Sequence, residues 1–149
     1  MFEKLRAKIT AHHSSHPLAK QRTEFLAVKA DTPLERKGHF TAETVGAAAA
    51  YEAFKAFENN EAHSTGIDGK VSHARSKQII VGLAEGRVVK LVEEKRLPFT
   101  SETEKVKFIK TAQKFAAADA KRSVRESGLY ANHELDPLDS DERLAARAV

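Results

Sequence analysis

The chain has 149 residues, of which 31% are charged, and a formal net charge of +4. It contains no cysteine, which excludes disulfides, a thiol nucleophile and cysteine-ligated metal. Because no run of about 18 apolar residues occurs, we expect no membrane span and no secretory signal, and we predict a cytoplasmic protein.

Residues 1–38 are basic and irregular, which predicts an N-terminal arm with short helices. The arm contains His12, His13 and His16, and imidazoles suit Zn, Cu or Ni. The intervening serines and Pro17 weaken a helix here, and no carboxylate stands at ligand spacing. We therefore predict neither a metal site nor a cofactor, and treat these histidines as adventitious ligands at most.

The first long helix is predicted from an N-cap at Thr41 to about Glu61. The second opens at Ser72, runs to about Leu97 before Pro98, and is apolar almost all round its middle. Within it, Gly82 and Gly86 lower helix propensity, and we interpret them as places where a neighbouring helix comes into backbone contact.

The third long helix begins at Ser101, where Ser101 and Glu104 form a predicted capping box, and Gly128 can end it. Residues 131–149 are predicted as an acidic C-terminal tail, with a short helix after Ser140 that docks weakly.

Together these elements predict an all-α fold: a compact antiparallel helical bundle of three long helices plus shorter terminal helices. The helix of residues 72–97 is expected at its centre. Three helices cover such an apolar helix poorly, so we expect the arm or a second chain, in a homodimer, to cover the rest.

A family resemblance rests on three stretches. They are the small-residue and aromatic order of residues 47–57, the sequence Gly-Lys-Val-Ser-His at 69–73, and residues 82–95. These resemble the fungal CipC-like antibiotic-response family, which is named for a concanamycin-induced protein and is a domain of unknown function. The resemblance covers roughly residues 38–125 and implies a CipC-like helical domain over residues 39–130, together with a stress-response context.

The chain also departs from the family pattern. Family members often end the first helix in Glu-Asp-His, whereas this chain has Glu58-Asn59-Asn60. A catalytic histidine at that position in relatives would be absent here.

The candidates for acid–base chemistry that we single out in the matched block are His39, Glu52, Glu58 and His73. The helix dipole beside the Ser72 cap favours neutral imidazole at His73, which suits a base or ligand. No spacing supplies His73 with a partner, and Glu52 and Glu58 do not share a helix face. We therefore expect His73 to complete the turn, and the two glutamates to be solvated or ion-paired.

The leading hypothesis is a non-enzymatic stress- or antibiotic-response protein that acts through partner binding or self-association. The alternative is a small-molecule-binding protein or enzyme with an interhelical pocket lined by Tyr51, Phe54, Phe57 and His73. A further alternative is weak nucleic-acid binding through the basic third helix. We regard that helix as a solvated amphipathic face, so nucleic acid is not an expected partner.

Overall fold

The computed structural model describes the backbone of residues 16–64, 72–127 and 130–148, and the side chains of residues 16–57, 72–127 and 130–144. The described helices are α1 (Ala19–Leu26), α2 (Leu34–Lys37), α3 (Ala42–Ser64), α4 (His73–Glu94), α5 (Glu102–Glu126) and α6 (Ser140–Ala148), with a 3-10 turn at Asn132–Glu134. No strand occurs in these ranges. The predicted all-α bundle with three long helices is confirmed.

The three long helices begin at the predicted N-cap residues. Each cap oxygen accepts a backbone N–H at 3.1–3.2 Å: Thr41 from Thr44, Ser72 from Arg75, and Ser101 from Glu104. These bonds satisfy donors that a helix start leaves without intrahelical partners. In the predicted capping box, however, the Glu104 carboxylate accepts from the Thr100 hydroxyl instead of returning to Ser101.

Helix α4 ends at Glu94, before the predicted end near Leu97. Arg96 adopts a left-handed conformation with φ of 51°, and the Leu97 N–H bonds to the Val92 carbonyl at 3.3 Å. This is the geometry of a Schellman motif, in which glycine usually occupies the left-handed position. The backbone therefore turns before Pro98 is reached.

Helices α3, α4 and α5 pack against one another around an alanine-rich core that also contains Phe54, Ile80 and Val88. Neighbours α4 and α5 are antiparallel: Lys105 pairs with Glu93, and Gln113 bonds to the Glu85 carbonyl. A Cβ at Gly46 would stand 2.8 Å from the Ala112 oxygen. The backbones of α3 and α5 are therefore in direct contact at Gly46.

The prediction that the second long helix is the centre of the bundle is wrong. Helix α4 packs on α3 and α5. Helix α5 packs on α6 as well, and α3 packs on α1 as well. Within the described residues no neighbouring helix makes the contact expected at Gly82 and Gly86, because both are exposed and a Cβ on either would meet nothing within 4 Å. Val89 on the same side is 40% exposed, so one face of α4 remains uncovered by the described chain.

The terminal segments pack on this bundle. Phe25 of α1 is fully buried and meets the Phe40 ring edge-on at 5.2 Å. The Lys95 ammonium group donates hydrogen bonds to the Leu26 and Val28 carbonyls at 3.1 and 2.6 Å, and so holds the end of α1 against the bundle. At the other end the predicted short helix is present as α6, which packs on α5.

Candidate functional site

The start of α4 places His73 in a polar cluster beneath the C-terminal segment. Its side chain is 1% exposed, and its ring centroid lies 5.2 Å from that of Tyr130. The Asp136 N–H donates to its Nδ1 at 2.7 Å. Since Nδ1 is an acceptor, the neutral ring carries its proton on Nε2, and Nε2 has no hydrogen-bond partner among the described residues.

Burial sets the protonation of His73. Desolvation lowers the pKa of the imidazole, and the positive charges of Arg125 and Lys77 lower it further. His73 is therefore neutral, as the sequence predicted, but burial rather than the cap is the first cause.

One turn further along α4, Ser76 and Lys77 join the cluster. The Ser76 hydroxyl lies 2.5 Å from the Tyr130 hydroxyl, and Tyr130 also donates to the Ser72 carbonyl at 3.3 Å. Both hydroxyls are thereby engaged within the fold. The sequence analysis did not single out Lys77, although a charged residue on the otherwise buried side of α4 is a signal that could have indicated a buried ion pair.

Lys77 is held by three carboxylates of the C-terminal segment. Its Nζ lies 3.0 Å from Asp136, 3.1 Å from Asp139 and 2.8 Å from Glu142, whose side chain is fully buried. Arg125 of α5 completes the set by bonding to Glu142 and to the Asp136 carbonyl. We call these five residues the C-terminal clasp.

The pKa values in the clasp follow from this pairing. Burial opposes the charged form of Lys77, but hydrogen bonds to Glu142, Asp136 and Asp139 outweigh it and raise its pKa. Burial likewise opposes ionised Asp139, yet the Glu142 N–H, Lys77 and Lys121 lower its pKa to about 2. Lys77 is charged at neutral pH and is poorly suited to act as a base.

Two other candidate residues line separate clefts. His39 is exposed, stacks on Phe40 at 4.5 Å between centroids, and lines a cleft of about 280 Å³ with Glu24 and Arg36. Glu52 lines a cleft of about 560 Å³ between α3 and α4 and pairs with Arg87 at 3.0 and 3.1 Å. The expectation that Glu52 is ion-paired is confirmed. The side chain of Glu58 lies outside the described residues.

The predicted pocket residues are not assembled around His73. Tyr51 lies beneath the Arg22 and Lys55 cations, at 4.6 and 4.3 Å from its ring centre. Its neighbour Glu52 pairs with Arg87, and His73 is fourteen residues before Arg87, or about 21 Å along α4.

Phe54 and Phe57 belong to the hydrophobic core instead. They are 1% and 2% exposed, and their rings meet edge-on at 6.4 Å between centroids. They therefore fill volume between the helices.

Of the three arm histidines, His12 and His13 lie outside the described residues. His16 is buried, accepts the Leu18 N–H at Nδ1, and places Nε2 3.3 Å from Asp119. Within the described ranges no group of three or more histidine or acidic side chains is arranged to hold a metal ion.

The basic side of α5 is partly occupied by ion pairs. Lys105 pairs with Glu93, Lys121 with Asp139 and Asp141, Arg122 with Glu126, and Arg125 with Glu142. These contacts reduce the charge that the third helix offers to phosphate groups. No helix in the described parts of the chain is both long and apolar enough to cross a membrane.

Comparison with known families shows which family this chain resembles. The model of a family described as virulence factor CipC-like, a domain of unknown function, matches residues 25–127, which is well over half of the chain. This chain belongs to the CipC-like family. No curated protein and no solved structure matches it significantly.

The extent of the CipC-like match agrees with the packing. It begins at Phe25, which contributes to the core, and continues through α5, so it includes more of the N-terminal side than the resemblance over residues 38–125. The matched range includes Lys77 and Arg125 but ends before Asp136, Asp139 and Glu142, which supply the carboxylates of the clasp. The clasp carboxylates were missed in the sequence, because nothing local to residues 136–142 marks them as buried.

Proposed function

We propose that this CipC-like protein is a non-enzymatic protein of the fungal stress or antibiotic response, and that it acts in the cytoplasm by associating with itself or with another protein. The observation that carries the proposal is the uncovered face of α4. It combines Gly82, Gly86 and Val89 on an exposed side of a long helix, beside a cleft of about 560 Å³. A helix face with so little side-chain bulk lets a partner protein come close to the backbone.

The candidate catalytic groups support the same proposal. His73 is buried with Nδ1 engaged, Glu52 is paired with Arg87, and His39 is exposed at a different cleft. Acid–base catalysis needs a base within reach of a substrate and a second group that orients it. These residues do not converge in that way.

The test is complementation of a fungal strain that lacks the protein, scored as survival under antibiotic stress. We expect Gly86→Gln to lose function, because it fills the uncovered face, and Ala74→Gln, at another exposed position of α4, to retain it. His39→Ala should also retain function. Loss with His39→Ala, and retention with Gly86→Gln, would refute association through this face.

A second candidate function is supported by one observation. The Nε2–H of His73 is a buried donor without a partner among the described residues, and a small ligand with an acceptor atom would satisfy it. A thermal-shift screen of small carboxylic acids tests this candidate. Stabilisation of the natural protein that is lost in His73→Phe, which keeps a ring but removes the donor, would favour a small-molecule binder.

A further inference from the structure

The uncovered face of α4 is one straight stripe. Its exposed members are Arg75, Gly82, Gly86, Val89 and Glu93, and half-buried Ile79, which also packs against the core, lies in the same stripe. We call these six residues the α4 seam. The spacing alternates between four and three residues, which keeps the stripe within about 80° of the helix circumference. Such spacing is the seam pattern by which one helix packs along another.

Packing among the described residues does not explain the two glycines of the seam. Glycine disfavours a helix interior relative to alanine, and a methyl group at Gly82 or Gly86 would meet nothing within 4 Å. Gly46 shows the contrast, because there the α5 backbone occupies the space that a Cβ would need. A helix that approached the seam from outside would use Gly82 and Gly86 in the same manner.

The order of residues in the seam is self-complementary about Ala84. Gly82 and Gly86 are each two residues from Ala84, Ile79 and Val89 are each five away, and Arg75 and Glu93 are each nine away. An antiparallel copy of the seam, centred at Ala84, would place glycine against glycine, Ile79 against Val89, and Arg75 against Glu93. Every position meets a residue of matching size, polarity or opposite charge.

We propose that a second copy of this chain packs on the α4 seam, antiparallel, about a two-fold axis that crosses the seam midway between Gly82 and Gly86. This rests on the proposed function and names the partner. A two-fold contact uses the same patch on both copies, and the seam meets that requirement.

Charge selects the antiparallel direction. Within one chain, the Arg75 side chain has no ion-pair partner among the described residues. The Glu93 carboxylate pairs with Lys105 at 2.7 Å, but its side chain is 58% exposed. It can therefore accept a second hydrogen bond from a donor on another copy of the chain. A parallel pair would set Arg75 against Arg75 and Glu93 against Glu93, and like charges would oppose it.

The interface is small. Arg75 and Glu93 are eighteen residues apart, so the seam is about 27 Å long, and a contact of one helix pair falls at the low end of specific interfaces. We therefore expect a dimer with a dissociation constant in the micromolar range, on the order of 1 to 100 µM.

Sedimentation velocity over a concentration series tests the proposal. The full chain should pass from monomer to dimer, and Gly86→Gln should raise the dissociation constant at least tenfold. Ala74→Gln is the matched control: it adds the same side chain at an exposed position of α4, about 100° around the helix from the seam, and should leave dimerisation unchanged.

Charge reversal identifies the contact. Arg75→Glu and Glu93→Arg should each weaken the dimer several-fold, and the double variant should restore it. Because the two positions are about 27 Å apart on one helix, restoration requires contact between two copies.

Cross-linking tests the direction of packing. The natural chain has no cysteine, so an introduced thiol is the sole thiol present. Under mild oxidation, a mixture of Arg75→Cys and Glu93→Cys chains should form the mixed disulfide, and either variant alone should not.

A chain that stays monomeric at every concentration, or a dimer insensitive to Gly86→Gln, would overturn the inference. If the chain is monomeric but Gly86→Gln still fails in complementation, the proposed association stands with a different protein as the partner.

Discussion

The backbone contact at Gly46 predicts that Gly46→Ala destabilises the fold, although alanine is the better helix former. A Cβ there would stand 2.8 Å from the Ala112 oxygen, 2.8 Å from the Phe115 Cβ and 2.9 Å from the Ala116 nitrogen. Favourable carbon contacts lie at about 3.5–4.0 Å, so α3 and α5 would have to separate by several tenths of an ångström.

Two opposing effects set the change in the free energy of unfolding of Gly46→Ala. Alanine in place of glycine within a helix contributes about 1 kcal/mol of stability. Overpacking a filled interior costs about 1–3 kcal/mol or more, and here the upper part of that range applies because two of the three neighbours are backbone atoms that cannot change rotamer. We expect a net loss of about 1–2 kcal/mol in the free energy of unfolding.

Equilibrium denaturation in urea measures this loss, with Gly82→Ala as the matched control. Gly82 is also inside a long helix, but a Cβ on it meets nothing within 4 Å, so Gly82→Ala should gain about 1 kcal/mol. Both variants should be measured at concentrations low enough to keep the chain monomeric. A Gly46→Ala protein at least as stable as the natural chain would refute the backbone contact.

Three further predictions concern stability. Replacing Arg96 by glycine should raise the free energy of unfolding by about 1 kcal/mol in the same assay, because φ of 51° strains a residue with a Cβ. Replacing Glu142 by alanine should cost about 3 kcal/mol, because Lys77 loses its fully buried partner; Asp141→Ala, at a more exposed pair, should cost less than 1 kcal/mol. Acid should lower the free energy of unfolding in two steps. Urea denaturation midpoints measured at a series of pH values can resolve them. His73 has a lowered pKa, so the unfolded state binds its proton first and stability falls below about pH 6.5, a step that His73→Phe removes. Asp139, with its pKa lowered to about 2, contributes stability above about pH 4 that is lost between about pH 4 and 2; its side chain is 34% exposed, so solvent screening limits this to about 1 kcal/mol.

Local rules predicted the helices because the forces that begin and end a helix act within a few residues. Thr41, Ser72 and Ser101 bond to N–H groups three residues ahead, and those distances are already present in the sequence. The early end of α4 could not be predicted in this way. It depends on a left-handed Arg96, which propensity disfavours.

The candidate site depends on contacts far apart in the chain. Lys77 and Glu142 are 65 residues apart, and the Ser76–Tyr130 contact joins residues 54 apart. A charged residue on the buried side of α4 indicates that a partner exists, but periodicity within one helix cannot say which segment supplies it.

The sequence by itself determined the class of the protein: its hydrophobic period, its caps and its family pattern identify an all-α CipC-like chain. Only the tertiary structure decided what each glycine does. Gly46, Gly82 and Gly86 all stand inside long helices and look alike in sequence, yet α5 lies against the first and no described helix covers the other two. The physical reason is that a glycine allows close approach only if it lies on the face that meets a neighbouring helix. The tertiary arrangement of the helices decides which face that is.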